Sequence, residues 1–341
     1  MPRSFSVFAY GLGMAILIAP GLAQAEPVPV STDNFARAES DLYFGNISAR
    51  NGFGVIGHDR AMADIAAQTV IRLNRDTLYS SGIFDLDAGP VTLTLPDPGT
   101  RFLSVQIIDE DHYTHAVHYG GGTLELTREA IGTRYVAVAI RTLVNPEDAQ
   151  DLATVHKLQD GIKVSQTSPG SFEVPDWDKS TQDRTRQALI DLAALLPDTR
   201  HMFGAKDQVD PVRHVIGSAM GWGGNPETEA LYLNRQVAKN DGKTVYRVKV
   251  GKVPVQGFWS ISIYNADGYY VPNTQNAYTL NNLTATPDSH GSVTVQFGGC
   301  DKAVVNCLPT PEGWNWMVRL YRPDASILDG SWVFPEPEEV Q

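Results

Sequence analysis

The last hundred residues of the chain alternate between apolar and polar side chains in four separate segments. The segments are KTVYRVKVG, GFWSISIYN, GSVTVQFGG and WNWMVRLYRP, and turn sequences such as NADG and DSHG separate several of them. Alternation with a period of two is typical of strands that bury one face. No helical pattern long enough for a crossover lies between them, so we predict an antiparallel sandwich.

The first part of the chain shows the same alternation, and the middle does not. TLYSSGIFDL, VTLTLPDPGTRFLSVQII and RYVAVAIRTL predict strands, whereas PEDAQDLATVHKLQDGI and STQDRTRQALIDLAALLPD predict helices. The predicted fold class is mainly β, with two antiparallel β-sandwich-like domains joined by a helical segment. The predicted divisions are a signal peptide (1–25), an N-terminal helix with the first β domain (26–145), a helical connecting segment (146–240) and a C-terminal β-sandwich domain (241–341).

The first 25 residues have the order of a secretory signal peptide. Arg3 precedes an apolar run that ends in Ala23-Gln24-Ala25, with small residues before Glu26. A membrane anchor is the alternative, but the run is shorter than the ~20 residues that a spanning helix needs. We expect an exported, soluble chain in the periplasm or the medium, with no membrane insertion.

The charge of the chain excludes several classes of partner. The formal net charge is -12, and removal of residues 1–25, which contain one basic residue and no acid, makes it -13. An acidic chain without a block of Lys or Arg repels nucleic acid and anionic membranes. We expect a small-molecule or glycan substrate and no nucleic acid, and an oligomer of identical chains is left open.

Two cysteines, Cys300 and Cys307, are the only ones in the chain. An exported protein meets an oxidising compartment, so an even number at close spacing favours a disulfide. A catalytic cysteine is the alternative. The neighbouring Asp301 disfavours it, because a nearby negative charge opposes thiolate formation.

The stretch DEDHYTHAVHYGGG places three histidines three residues apart, after two acids. On a strand, His112 and His118 share a face about 20 Å apart and His115 points the other way, so one metal cannot bind all three. We therefore predict no metal and no cofactor, and we keep His112 or His115 as a general acid or base. The usual nucleophile elbow, phosphate loop, dinucleotide fingerprint and zinc motifs are absent.

Two C-terminal strands each carry a polar face. Hydroxyl, amide and guanidinium groups on such a face can bind a hydroxylated or carboxylated ligand, although an ordinary solvent-facing sheet is the alternative. The residues predicted to bind substrate on these strands are Ser260, Ser262, Tyr264, Asn315 and Tyr321, and Arg319 is predicted to assist catalysis.

The segment NRDTLYS adds an acid, a guanidinium and a phenol at the start of a predicted strand. Asp76 and Tyr79 are candidates to assist catalysis, and Arg75 is a candidate to bind substrate. The alternative is a structural turn made by Asn74 and Asp76, because Asx turns are common at strand starts.

The chain resembles a known family at these same residues. NRDTLYSSGIFDL and RFLSVQIID resemble domain of unknown function 1254. GFWSISIYNADGYYVPNTQNAYTLNN, GSVTVQFGG and RLYRPDASILDGSW resemble its C-terminal companion, domain of unknown function 1214. The resemblance implies exported bacterial proteins with two β-sandwich-like domains, and no established reaction. Relatives often have NWLP where this chain has NCLP, so Cys307 replaces a tryptophan.

Together these patterns predict an exported enzyme, a hydrolase or lyase that acts on an ester or a carbohydrate-like substrate between two β domains. The alternatives are a non-catalytic protein that binds glycans or the envelope, and a structural envelope protein without a ligand site.

Overall fold

The structure is a computed structural model that describes residues 1, 26–68, 71–300 and 304–340. The predicted signal peptide lies, apart from Met1, outside these residues. Residues in strands outnumber those in helices, and the mainly β class is confirmed. No helix in the described ranges is long and apolar enough to span a bilayer.

Sixteen strands are described. They are β1 (Gly57–His58), β2 (Thr77–Asp85), β3 (Val91–Leu95), β4 (Leu103–Asp109), β5 (Thr114–Tyr119), β6 (Gly122–Leu126), β7 (Tyr135–Leu143), β8 (Lys163–Ser165), β9 (Ala230–Arg235), β10 (Tyr246–Val250), β11 (Trp259–Tyr264), β12 (Thr279–Asn281), β13 (Val293–Phe297), β14 (Cys307–Leu308), β15 (Asn315–Tyr321) and β16 (Glu338–Glu339).

The described α-helices are α1 (Phe35–Asn51), α2 (Arg128–Ile131), α3 (Ala149–Gly161), α4 (Lys179–Ala193), α5 (Pro211–Met220) and α6 (Ala325–Leu328). Two short 3-10 turns, Ile65–Ala67 and Leu86–Ala88, lie on either side of β2. Side chains of aspartate accept hydrogen bonds from the first amides of α3, α4 and α5, which explains where these helices begin.

The first β unit consists of two packed sheets, ordered β1–β2–β7–β4–β5 and β6–β3–β8. Alternate residues of the central strands bury aliphatic side chains between the sheets, as the period of two predicts. The core between them includes Phe84, Leu93, Val105, Leu126, Val138 and Ile140. The opposite face of the larger sheet can therefore pack against other parts of the protein.

The second β unit also has two sheets, ordered β12–β11–β15–β9 and β14–β13–β10–β16. Its core contains Trp259, Ile261, Val295, Phe297, Trp314, Trp316 and Val318. The predicted apolar faces of β11 and β15 are buried here, so the opposite face of both strands carries the predicted polar residues. Two antiparallel, sandwich-like units joined through helices are thus confirmed.

Three of the helices, α1, α4 and α5, form a layer of their own. They pack on one another around Phe35, Leu189, Met202 and Ile216. The N-terminal helix therefore belongs to the same layer as the helices predicted to connect the β domains. Residues 146–240 also supply β8 to the first unit and β9 to the second, so this segment contributes strands to both units.

Candidate functional site

The polar faces of the two β units meet. In the first unit, Tyr79 on β2 lies beside Arg141 on β7. In the second unit, Arg319 on β15 lies between Ser260 on β11 and Tyr232 on β9. A cavity of about 340 Å³ lies between these faces, and we call it the arginine cavity. Its lining residues are Arg72, Leu73, Asn74, Tyr79, Arg141, Tyr232, Met317, Arg319 and Tyr321.

Asn74 joins the two faces directly. Its side-chain amide donates to the hydroxyl of Tyr79 at 3.0 Å and to the hydroxyl of Tyr321 at 3.2 Å. Its carbonyl oxygen accepts from the backbone N–H of Asp76 at 2.9 Å, which is the Asx turn considered from sequence. The same short segment therefore makes a structural turn and brings phenols of both units to one place.

Arg319 is 2% exposed, and every group to which it donates is neutral. Its guanidinium donates to Ser262 Oγ at 2.7 Å, to the Tyr264 hydroxyl at 2.7 Å and to the Arg72 carbonyl at 2.8 Å. Burial lowers its pKa, but Tyr264, Tyr270 and Asp76 outweigh that effect, so the pKa stays above its ordinary value. Arg319 therefore remains a fixed cation.

Arg141 is the corresponding cation of the first unit and is 8% exposed. It donates to Gln106 Oε1 at 2.9 Å and to the carbonyl of Gly223 at 3.3 Å. Its guanidinium carbon lies 5.6 Å from the centre of the Tyr79 ring, within the range of a cation–π contact. Arg141 is thus also held by neutral groups.

Arg72 is the third cation of the arginine cavity. Its guanidinium donates to Asn315 Oδ1 at 2.8 Å and is half-buried. Within the described residues, no carboxylate oxygen lies within 4.0 Å of the guanidinium nitrogens of Arg72, Arg141 or Arg319. Buried charges in proteins are normally paired, so Arg141 and Arg319 depart from the usual arrangement.

The phenols of the arginine cavity differ in environment. Tyr321 is buried, and burial together with Tyr232 and Tyr79 raises its pKa well above the ordinary value, although Arg319 and Arg141 oppose this. Tyr321 therefore keeps its proton at neutral pH. The hydroxyl of Tyr79 is half-buried and accepts from Asn74.

Asp76 does not line the arginine cavity. It is completely buried, and its Oδ1 accepts from Thr279 Oγ1 and from Asn281 Nδ2, both at 3.0 Å. Its Oδ2 has no hydrogen-bond partner in the described part of the chain. The predicted catalytic acid is therefore a contact between the β units, behind the wall of the cavity.

The predicted substrate-binding residues separate into two groups. Tyr321 lines the arginine cavity, whereas Ser262, Tyr264 and Asn315 hold the arginines from behind. Ser260 is buried, and its hydroxyl has no partner among the described residues. Three residues that were predicted to bind substrate therefore accept hydrogen bonds from the arginines and hold them in place.

Arg75 faces a different cavity, of about 570 Å³. It donates to the carbonyl of Ala63, and its guanidinium carbon lies 5.4 Å from the centre of the Tyr278 ring. The same cavity is lined by Cys300 and Cys307. These cysteines form a disulfide with a sulfur–sulfur distance of 2.06 Å, which confirms the predicted pairing.

The prediction that His112 lies on a strand is wrong. His112 has a φ of 68° and lies in the turn before β5, which begins at Thr114. Its Nε2 accepts from the backbone N–H of Gly223 at 2.8 Å, so Nδ1 carries the proton and donates to Ser218 Oγ at 2.9 Å. Burial, and then the charge of His214, lower the pKa of His112 to about 3. Both ring nitrogens are used, so His112 lacks a free atom for proton transfer to a substrate.

His115 lies away from the arginine cavity. Its Nε2 lies 2.8 Å from Asp109 Oδ2, and it lines a separate cavity of about 230 Å³ with Tyr113 and Lys206. His118 contacts the carbonyl of Gly121 at 3.2 Å. No group of three or more metal-binding side chains occurs in the ranges that the structure covers. The histidine-rich stretch is therefore a hairpin in which His115 and His118 have local partners, whereas His112 bonds to Ser218 and Gly223.

Sequence reasoning missed Arg72, Arg141 and Tyr232. Arg141 interrupts the apolar strand RYVAVAIRTL, and a charge inside such a strand was the available signal. Arg72 and Tyr232 lie in segments without a distinctive pattern. Their role depends on packing between distant parts of the chain, which no local pattern encodes.

Comparisons with known proteins agree with this architecture. Residues 53–128 match the family described as "Protein of unknown function (DUF1254)", and residues 229–325 match "Protein of unknown function (DUF1214)". The VPA0106 protein of Vibrio parahaemolyticus is similar in structure, with 18% identity, a TM-score of 0.70, and coverage of 91% of this chain and 98% of that one.

An uncharacterized protein from Burkholderia cenocepacia is also similar in structure. It has 14% identity and a TM-score of 0.53, with 90% of this chain and 87% of that one covered. At these identities the likeness concerns the fold alone. Comparison with curated proteins gives no match.

Proposed function

The chain belongs to the family that joins an N-terminal DUF1254 domain to a C-terminal DUF1214 domain, and from this premise we propose that it is an exported lyase. Its substrate is a carboxylate-bearing, carbohydrate-like molecule bound in the arginine cavity. The observation that carries the proposal is the presence of three guanidinium groups without a carboxylate partner beside three phenols.

The lining side chains favour elimination over hydrolysis. Glycoside hydrolysis generally uses a pair of carboxylates, and ester hydrolysis generally uses an activated nucleophile with an adjacent base. Among the described lining residues there is no Asp, Glu, His, Ser or Cys. Elimination next to a carboxylate requires cations that neutralise the carboxylate, and groups that move protons. Arginine and tyrosine supply both.

The proposed step assigns a role to two of the three phenols. Tyr79, which is more exposed than Tyr321, passes its own proton to solvent and accepts the proton on the carbon next to the substrate carboxylate. The electron pair of that C–H bond forms a carbon–carbon double bond, and the bond to the leaving oxygen breaks. Tyr321, which holds its proton firmly, donates it to the leaving oxygen. Guanidinium groups of the arginine cavity stabilise the charge that develops on the carboxylate.

The first test is product mass. The mature protein is incubated with uronate-containing oligosaccharides and with neutral oligosaccharides of the same length. Elimination gives two products whose masses add up to that of the substrate, and the one that carries the new double bond absorbs ultraviolet light, whereas hydrolysis adds one water. Products that contain added water would refute the lyase proposal.

A matched pair of variants tests the assignment of Tyr79. Tyr79→Phe removes the proton acceptor, and we expect kcat to fall by about 100-fold or more. Tyr113→Phe removes a phenol from the separate cavity near His115, and its kcat should equal that of the wild type. Equal activity in all three proteins would exclude Tyr79 as the base.

Export is part of the proposal and rests on residues 1–25. The mass of the protein purified from a bacterial periplasm after expression of the full chain gives the test. We expect a chain that begins at Glu26. A full-length chain that stays in the cytoplasm would contradict export.

A non-catalytic binder of acidic glycans is the second candidate. The same unpaired cations favour it, because they bind an anion whether or not a proton moves. Tight binding of an acidic oligosaccharide, with no product after prolonged incubation, would favour this candidate over the lyase.

A further inference from the structure

The cations of the arginine cavity come from both β units. Arg141 lies on β7 of the first unit, and Arg319 lies on β15 of the second. Arg72 belongs to the segment before β2, and its backbone carbonyl accepts from Arg319 at 2.8 Å. The positive charges therefore face one another across the contact between the units.

These cations affect one another and the same phenol. Burial lowers the pKa of Arg72, and the charge of Arg319 lowers it further. Both Arg319 and Arg141 act on Tyr321, whose pKa would be higher without them. The three guanidinium groups thus share one electrostatic environment, in a chain whose overall charge is -12.

The other hydrogen bonds that join the units around the arginine cavity have neutral acceptors, including Asn315 Oδ1, which accepts from Arg72 at 2.8 Å. Asn74 donates to Tyr321 at 3.2 Å, and Arg319 donates to the carbonyl of Arg72. Asp76 acts on Arg319 from outside the cavity, so this one carboxylate is set against three guanidinium groups. One bound carboxylate would leave one positive charge uncompensated. Two carboxylates would leave none, and each could contact a cation of a different unit.

We propose that the arginine cavity takes a ligand with two anionic groups, one bound at Arg141 and the other at Arg319 and Arg72, so that the ligand bridges the two β units. The inference rests on the site of the proposed function but not on its reaction. Two sources share this chemistry: an acidic disaccharide with a carboxylate on each ring, and a small dicarboxylic acid.

Matched ligands test the proposal with the wild-type mature protein. Calorimetric titrations in a buffer free of phosphate and sulfate compare galacturonate with digalacturonate, and butyrate with succinate. We expect the dianion to bind at least 10-fold more tightly than the monoanion in one of the two series. The series with the larger ratio identifies the source. Equal affinities for both members of each series would overturn the proposal.

Variants of the cavity arginines test which cations bind the second anionic group of the ligand. Arg72→Gln, at a half-buried position, and Arg141→Gln should each reduce the dianion preference to less than threefold. Arg128→Gln is the control, because it removes the same charge from an exposed helix of the first unit. An unchanged preference in both cavity variants would also overturn the proposal.

The outcomes separate this inference from the lyase proposal. If galacturonate and digalacturonate bind equally and an elimination product still forms, the bridging inference fails and the lyase proposal stands. If the dianion binds preferentially and no product forms, the bridging inference stands and the lyase proposal fails. If no anion binds, both fail.

Discussion

The histidine-rich hairpin and the arginine cavity both contain several ionisable side chains. They differ in whether the charged groups contact a partner that can carry the opposite charge. In the hairpin, Asp109 contacts His115, and Asp111 accepts from Arg37. In the arginine cavity, Arg141 and Arg319 contact neutral groups only. Side chains that satisfy one another inside the protein support the fold. Buried charges left without a partner are available to a ligand.

The largest expected effect comes from breaking an internal pair. Arg186 donates to Glu39, which is 2% exposed, so Arg186→Met leaves a buried carboxylate uncompensated. We expect the free energy of unfolding to fall by about 3 kcal/mol in urea titrations. Arg141→Met removes a cation that has no carboxylate partner, and its cost should be less than half as large. Equal losses of unfolding free energy in Arg186→Met and Arg141→Met would contradict the distinction between paired and unpaired arginines.

The next effect concerns His112. His112→Ala leaves the N–H of Gly223 without an acceptor and opens a cavity, while Ser218 Oγ loses a donor but still donates to the carbonyl of His214, so we expect a loss of about 2–3 kcal/mol. Substrate turnover is not expected to require this imidazole as an acid or base. The half-buried His118 provides the control, and His118→Ala should cost less than about 0.5 kcal/mol.

The same substitution should change the pH dependence of stability. The pKa of His112 is lowered to about 3 in the folded protein, against an ordinary value of 6.5. As pH falls through this window the unfolded chain binds a proton that the folded chain does not, so stability falls. Unfolding titrations between pH 7 and pH 4 should show a smaller decrease for His112→Ala. An identical slope would contradict the assignment of a neutral, buried imidazole.

A smaller loss is expected from the disulfide. Replacing Cys300 and Cys307 together by Ser frees a loop of short sequence separation, and we expect a cost of about 2 kcal/mol. Because the disulfide lines the cavity of Arg75 and not the arginine cavity, anion affinity should be unchanged. A large loss of anion affinity would connect the two cavities.

The smallest effect is a gain in stability. Burial raises the pKa of Asp41 to about 6, the hydrogen bond from Trp177 opposes the shift, and the charge of Glu110 adds to it. The folded chain therefore holds an extra proton between about pH 4 and 6, and stability falls as pH rises through that window. Asp41→Asn should raise the free energy of unfolding by about 1 kcal/mol at pH 7.5 and by less at pH 4. A loss at pH 7.5 would contradict it.

The strands and their faces followed from local alternation. Trp259 and Ile261 point into the second core, while Ser260 and Ser262 point toward the first unit, as the period of two predicts. The meeting of the two polar faces depends on how distant segments pack, so sequence patterns suggested it without establishing it. The same limit explains why the sequence places Arg141 in a strand and does not assign it to a site.

The histidine prediction failed for a different physical reason. The spacing within HYTHAVHYG predicts one strand, but His112 adopts a positive φ in the turn after β4, and β5 begins only at Thr114. A single backbone angle changed the direction of the side chain. Gly223, with a φ of 77°, then supplies an N–H to His112 and a carbonyl to Arg141.

The order of strands in the second unit has a consequence for how the protein is made. β15 lies in the middle of its sheet, between β11 and β9, yet it is the last long strand of the chain. β9 (Ala230–Arg235) therefore has no neighbour in that sheet until residues 315–321 have been synthesised. Pairings over such sequence distances form slowly, because a long loop must close first. The second unit can thus complete its fold only after nearly the whole chain has left the ribosome.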